Sequence, residues 1–161
     1  MSLAILDTTI LSNFAHAQRP ELVQAVLGES AATTTAVLAE LRQGEALGLV
    51  PRVDWRWLSV LDLTTNEEEL ATEYLAVLDA GEASCLAAAV MRRARFFSDD
   101  LAARRLAQAN RLPVSGTIGL LLALVRREII TLVEGDGLLA VMMRQGYRAP
   151  AATLRVYLGE R

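Results

Sequence analysis

Five acidic residues carry the chemistry that this 161-residue chain suggests. Asp7 follows the apolar run at residues 3–6, and Asp99 and Asp100 follow Phe96 and Phe97. Glu82 closes the stretch Asp79-Ala80-Gly81-Glu82, and Glu40 lies midway along a helical pattern. Each has an ordinary explanation alone: a turn or cap for Asp7, a solvated helical side chain for Glu40, a helix-dipole partner for Glu82. Brought together, three or more carboxylates repel at neutral pH unless a cation neutralises them. The chain has one histidine and one cysteine, so the ligands would be oxygen alone, which selects hard ions such as Mg2+ or Mn2+. Such an ion typically activates water and stabilises charge on a phosphodiester. Ser115 and Thr117 stand where a hydroxyl would position a water or a phosphate.

Positioning these acids calls for alternating strands and helices. Residues 95–117, RFFSDDLAARRLAQANRLPVSGT, read as strand, acidic turn, helix, strand at 112–114, and polar turn. In an open parallel sheet, chemistry sits just beyond the carboxyl ends of the strands. Residues 3–6 have the unbroken apolar character of a parallel strand covered on both faces, with Thr8 and Thr9 as caps for a helix over 10–17. A helix over 20–27 begins at Pro20 and ends at Gly28. A short strand at Ala31 and Ala32 and a helix over 36–49 follow, the latter ended by Pro51. Residues 57–61 read as a strand, with Trp55 and Trp57 packing against the core. Thr65-Asn66-Glu67-Glu68-Glu69 starts a helix to about residue 78, and its three glutamates suit the positive helix end. Further helices are expected over 83–93, 101–110 and 117–127; the last is apolar nearly all round, so it should be buried or form a dimer interface. Residues 129–133 read as a last strand or extended link, and 135–145 and 152–158 as closing helices.

Composition narrows the function classes. Hydrophobic residues make up 53% and aromatics 5%, so the core is Leu, Ala and Val packing. A net charge of −3 counts against broad coating of nucleic acid, though not against a local basic patch. Arg92, Arg93, Arg95, Arg104 and Arg105 form the densest basic region, with Arg104 and Arg105 as candidate RNA contacts. The lone Cys85 permits no internal disulfide and reads as a small apolar residue on a helix face. The start MSLAILDTT lacks the features of a secretory leader, and residues 118–125 are too short to span a bilayer. A cytoplasmic protein without a membrane partner is expected.

In order along the chain stand ILDTTILSNF, AVLAELRQG, DAGEASCLAAAV, FFSDDLAARRLA and VSGTIGLLLAL. This set covers nearly the whole chain and resembles the PIN domain, the small metal-dependent ribonuclease fold that includes the VapC-type toxins of bacterial and archaeal toxin–antitoxin pairs. The resemblance implies a three-layer α/β/α sandwich with a central, mainly parallel sheet, a single domain over 1–161 with helices at 135–158 packed on it, and frequent homodimers. It implies Asp7 as the first-strand ligand and Glu40 as the helix carboxylate. Glu82 stands where many members have Asp, and Asp100, with Asp99 beside it, matches the later acidic position. Which of those two faces the metal stays open. Thr8 and Thr117 match polar neighbours of the site, and toxin members are held inactive by an antitoxin. The function expected is therefore Mg2+- or Mn2+-dependent cleavage of RNA. The competing expectation is a non-catalytic PIN-like module that binds RNA or protein, motivated by Glu82 and the acidic net charge. A receiver-like phosphoacceptor is disfavoured because every cation is arginine and no lysine is present.

Overall fold

Short apolar runs become the central strands of the sheet, buried from end to end at its middle. In the computed structural model, which describes residues 2–159, strand β1 (Ala4–Leu6) is completely buried at all three positions. It lies in the middle of an all-parallel sheet with β2 (Ala31–Thr34), β3 (Ser59–Leu61), β4 (Arg95–Phe97) and β5 (Val114–Ser115). The order is β3-β2-β1-β4-β5. Ala4 sits opposite Ala31 on one side and Arg95 on the other, and Leu6 opposite Phe97. The chain builds outward from β1 to β3 and then crosses back to place β4 on the far side of β1. The strand order therefore reverses between β1 and β4, the kind of junction where a crevice opens at the carboxyl ends.

Helices α1 (Thr8–His16), α2 (Glu21–Leu27), α3 (Thr35–Ala46), α4 (Thr65–Tyr74), α5 (Ala80–Arg92), α6 (Leu101–Ala109), α7 (Thr117–Arg126) and α8 (Leu132–Arg144) complete a three-layer α/β/α sandwich. Six of them begin on an Asp or Thr whose side chain accepts a backbone N–H of the first turn: Asp7, Thr34, Thr64, Asp79, Asp100 and Thr131. Such caps are each worth about 1 kcal/mol. Helix α7, which packs on α2 and α8, buries Leu120, Leu121 and Leu124 within the chain.

Several elements differ from the sequence reading. Residues 129–133 form no strand; Thr131 and Glu134 make a reciprocal capping box that starts α8 at Leu132. Residues 152–158 hold only a 3-10 turn, Leu154–Tyr157. The helix expected over 36–49 ends at Ala46, and α5 begins at Ala80 because Asp79 is its cap. Glu67 completes the capping box of Thr64 and is also clasped by Arg92 through two hydrogen bonds of 2.7 and 2.9 Å. It thus has a structural role, as expected. Trp55 and Trp57 pack on the core at the β3 edge with ring centroids 5.9 Å apart. Among the described residues no helix is long and apolar enough to cross a membrane.

Candidate active site

Asp7 is the first residue beyond β1, and its N–H donates to the Phe97 carbonyl of β4 at 3.1 Å. That bond pins the carboxylate to the reversal point of the sheet, where no water reaches it. Oδ1 accepts from the Thr9 N–H at 3.0 Å, the Thr9 hydroxyl at 2.5 Å and, more weakly, the Ile10 N–H at 3.4 Å. Oδ2 is buried with no completed hydrogen bond, although the Ser98 hydroxyl lies near enough to ease its charge. Burial, with the Asp99 charge adding to it, pushes this carboxyl up to about 7. A buried acceptor left without a partner is costly, which makes it a place to look for an absent ligand.

The α3 and α5 acids meet on the α5 start. Glu40 Oε1 accepts from the Gly81 N–H at 2.7 Å, and Oε2 from the Thr8 hydroxyl at 2.5 Å. A side chain at position 81 would collide with this carboxylate, since a Cβ there lies 2.6 Å from both of its oxygens. Glycine is therefore what lets α3 and α5 share the acid. Glu82 is pushed up to about 9 by burial, by Asp79 and by Asp100. Two neighbours of like charge add to the cost of ionising it.

The two consecutive aspartates play different parts. Asp99 Oδ1 accepts from the Thr117 N–H at 2.9 Å, and Oδ2 from the Thr117 hydroxyl at 2.5 Å and the Asn13 amide at 3.0 Å. Its own N–H donates to the Thr9 hydroxyl, which donates in turn to Asp7. Asp99 is held above its ordinary value by burial, against the pull of these bonds. Asp100 caps α6 with Oδ2 on the Ala103 N–H at 2.9 Å and is half-buried beside Glu82. Gly116 carries no Cβ because one would strike Asp99 and crowd Arg104.

Asn13 and Ser98 carry no signal of their own in the sequence, while Thr9 and Asp79, legible there only as a cap and a helix break, join the acidic network. Thr9 and Asn13 are one helical turn apart and share a face, a spacing that could have flagged them. Asp79 is the cap of α5, which starts at Ala80 rather than at the expected Ala83. The basic region also divides. Arg92 and Arg93 end α5 and Arg95 opens β4, which puts them at the amino edge of the sheet, away from the acids. Arg95 reaches Ser2 and Ser30 there. Arg104, early in α6, donates to the Ser98 carbonyl at 2.9 Å and lines a cleft with Asp99, Asp100 and Ser115. Arg105 is exposed. His16 ends α1, half-buried on a neighbouring cleft wall. Cys85, pushed up to about 12 by burial and the nearby Asp7, is an inert core thiol.

Among the described residues, no three His, Cys, Asp or Glu side chains stand in a ready-made cation cluster. The acids approach in small sets instead, Asp7 with Asp99 and Glu82 with Asp79 and Asp100. In chemistry the donors fit a hard divalent ion: all are oxygen, one buried oxygen is unpartnered, and two carboxyls are strongly raised by crowding and burial. A parallel α/β sandwich with acids gathered at its strand reversal defines a class of small domains rather than one activity. A family model described as a PIN domain matches residues 3–160. The chain belongs to the PIN domain family, whose members are commonly nucleases. No curated protein and no solved structure matches significantly.

Proposed function

We propose that this chain is an endoribonuclease dependent on Mg2+ or Mn2+, acting on RNA in the cytoplasm. Asp7, Glu82 and Asp100 would hold the ion, with Glu40 beside them as the remaining catalytic carboxylate. The single observation that carries the reading is the unpartnered, buried Asp7 Oδ2 at the β1–β4 reversal. When bound, the cation supplies activation of water and neutralisation of phosphodiester charge. The residues of the chain do the rest. Thr9 orients Asp7 through Oδ1 and leaves Oδ2 without a protein partner. Thr8 and Gly81 fix Glu40, so a carboxylate is available to accept a proton. Asp99, whose oxygens already accept three hydrogen bonds, acts as a positioning residue that ties Asn13 and Thr117 to the acidic edge.

The test is Asp7→Asn combined with Asp100→Asn. The purified double variant should fold and lose Mn2+-dependent cleavage of single-stranded RNA; cleavage at the wild-type rate would overturn the assignment. A toxin role is a narrower form of this proposal and requires a small antitoxin encoded next to the gene. The second reading, a non-catalytic module binding RNA or protein, draws on Glu82 and on the lack of a ready-made acid cluster. Calorimetry with Mn2+ separates the two, because a module without a site would give no binding heat.

A further inference from the structure

Beside the acids a cleft of about 810 Å3 opens between the starts of α6 and α7 and the segment that follows α8. That size is within the range of small-ligand sites, about 300–1,000 Å3. Its lining includes apolar Ile118, Leu122 and Pro150, the aromatic rings of Tyr147 and Tyr157, and the acids Asp99 and Asp100. A shallower trough of about 450 Å3 leaves the same two aspartates in another direction, across Ser12 and Asn13 of α1. Tyr147 and Arg148 line both hollows. One residue pair therefore stands between two depressions that meet at the acids, as a track for a strand passing over the site would require.

The charges favour an anionic strand. Arg148 is exposed, and among the described residues it forms no ion pair or hydrogen bond. Among the described residues Arg104 forms no ion pair; it donates to the Ser98 carbonyl and its charge also acts on Asp99. In a chain of net charge −3, Arg148 without an ion pair and Arg104 beside Asp99 offset the repulsion a phosphate would meet at the acidic edge. An apolar lining with aromatic rings suits the flat face of a base, which stacks without regard to its identity.

We infer that this cleft seats one unpaired base of the RNA strand against Tyr147, with the adjoining phosphates on Arg148 and Arg104. The inference rests on the ribonuclease reading for its ligand, so its test does not use cleavage. A fluorescein-labelled single-stranded RNA of about 12 nucleotides is titrated with the full chain in EDTA. Tyr147→Ala should weaken Kd about tenfold, as loss of one stacked base does, while Tyr147→Phe, which keeps the ring, should leave it unchanged. Arg148→Ala, at an exposed position, should reduce the salt slope of log Kd by about 1. In a 2-aminopurine-substituted strand, quenching on binding should be lost with Tyr147→Ala. Unchanged Kd, salt slope and quenching in these variants would overturn the base site. Metal-dependent cleavage by the same preparations would then leave the nuclease standing. Conversely, Tyr147-dependent binding without cleavage in Mn2+ would keep the base site and remove the nuclease.

Discussion

Asp7 is an acid whose removal should strengthen the fold. Its carboxyl rises from 3.8 to about 7 on folding, so over that interval the folded chain holds a proton that the unfolded chain has released. The stabilisation is complete below the unfolded value and is lost as pH climbs through about 7. Asp7→Asn abolishes this loss. At about pH 8 the metal-free variant should melt above the metal-free wild type, by at most about 4 kcal/mol. A lower Tm, measured by circular dichroism in EDTA, would mean that Asp7 holds the fold rather than the site. Gly81→Ala makes a contrasting case on the other side of the crevice. Alanine improves helix propensity by about 1 kcal/mol, but the new methyl group displaces Glu40 from the Gly81 N–H. The collision and the lost bond outweigh that gain, so the variant should be less stable than wild type and cleave RNA far more slowly; full cleavage would exclude Glu40 from the reaction.

The joint between α4 and α5 responds to pH in the opposite sense. Arg92 holds the buried Glu67 carboxyl below its ordinary value, so that stabilisation is present above the unfolded value and is lost as pH falls through the folded one. Arg92→Ala removes the bidentate partner of Glu67, which keeps the Thr64 N–H, and should cost about 1 kcal/mol at neutral pH, read as a lower urea midpoint with the m-value unchanged. Element existence was legible in the sequence wherever an apolar run met a capping residue. The first strand, the acidic turn after Phe97 and the Thr64 region all carried both signals. The misreadings arose where two signals competed. Ile129-Ile130-Thr131-Leu132-Val133 has strand composition, yet Thr131 and Glu134 form the T-x-x-E pattern of a helix start, and the capping bonds won. Asp7, Glu82, Asp99 and Asp100 stand out in the sequence because each follows a strand or opens a helix, whereas Glu40, midway along α3, carries no such signal. The division of labour among the acids was not legible. Nothing in the dipeptide Asp99-Asp100 tells that the first ties down Thr117 and Asn13 while the second caps α6. Only the pairing of β4 with β1 and β5 settles that.

For the molecule as a whole, cation binding and folding should be linked. Mn2+ that binds only the folded chain raises its stability by about 2.7 kcal/mol at a hundredfold excess over Kd. The gain in Tm should grow as pH rises, because the Asp7 and Glu82 carboxyls, pushed up to about 7 and about 9, must release protons to bind. Scans with and without EDTA at two pH values check this, and a gain independent of pH would exclude these carboxyls as ligands. The placement of the aromatic residues decides how such experiments can be read. Both tryptophans lie before β3, at the amino edge of the sheet, with β2 and β1 between that strand and β4. Intrinsic tryptophan emission therefore reports on the wrong corner of the domain, and a flat titration curve would be silent about occupancy. Tyr147 and Tyr157 are the chromophores that face the crevice, so ligand-induced signals belong in the tyrosine band, best recorded with Trp55 and Trp57 replaced by phenylalanine.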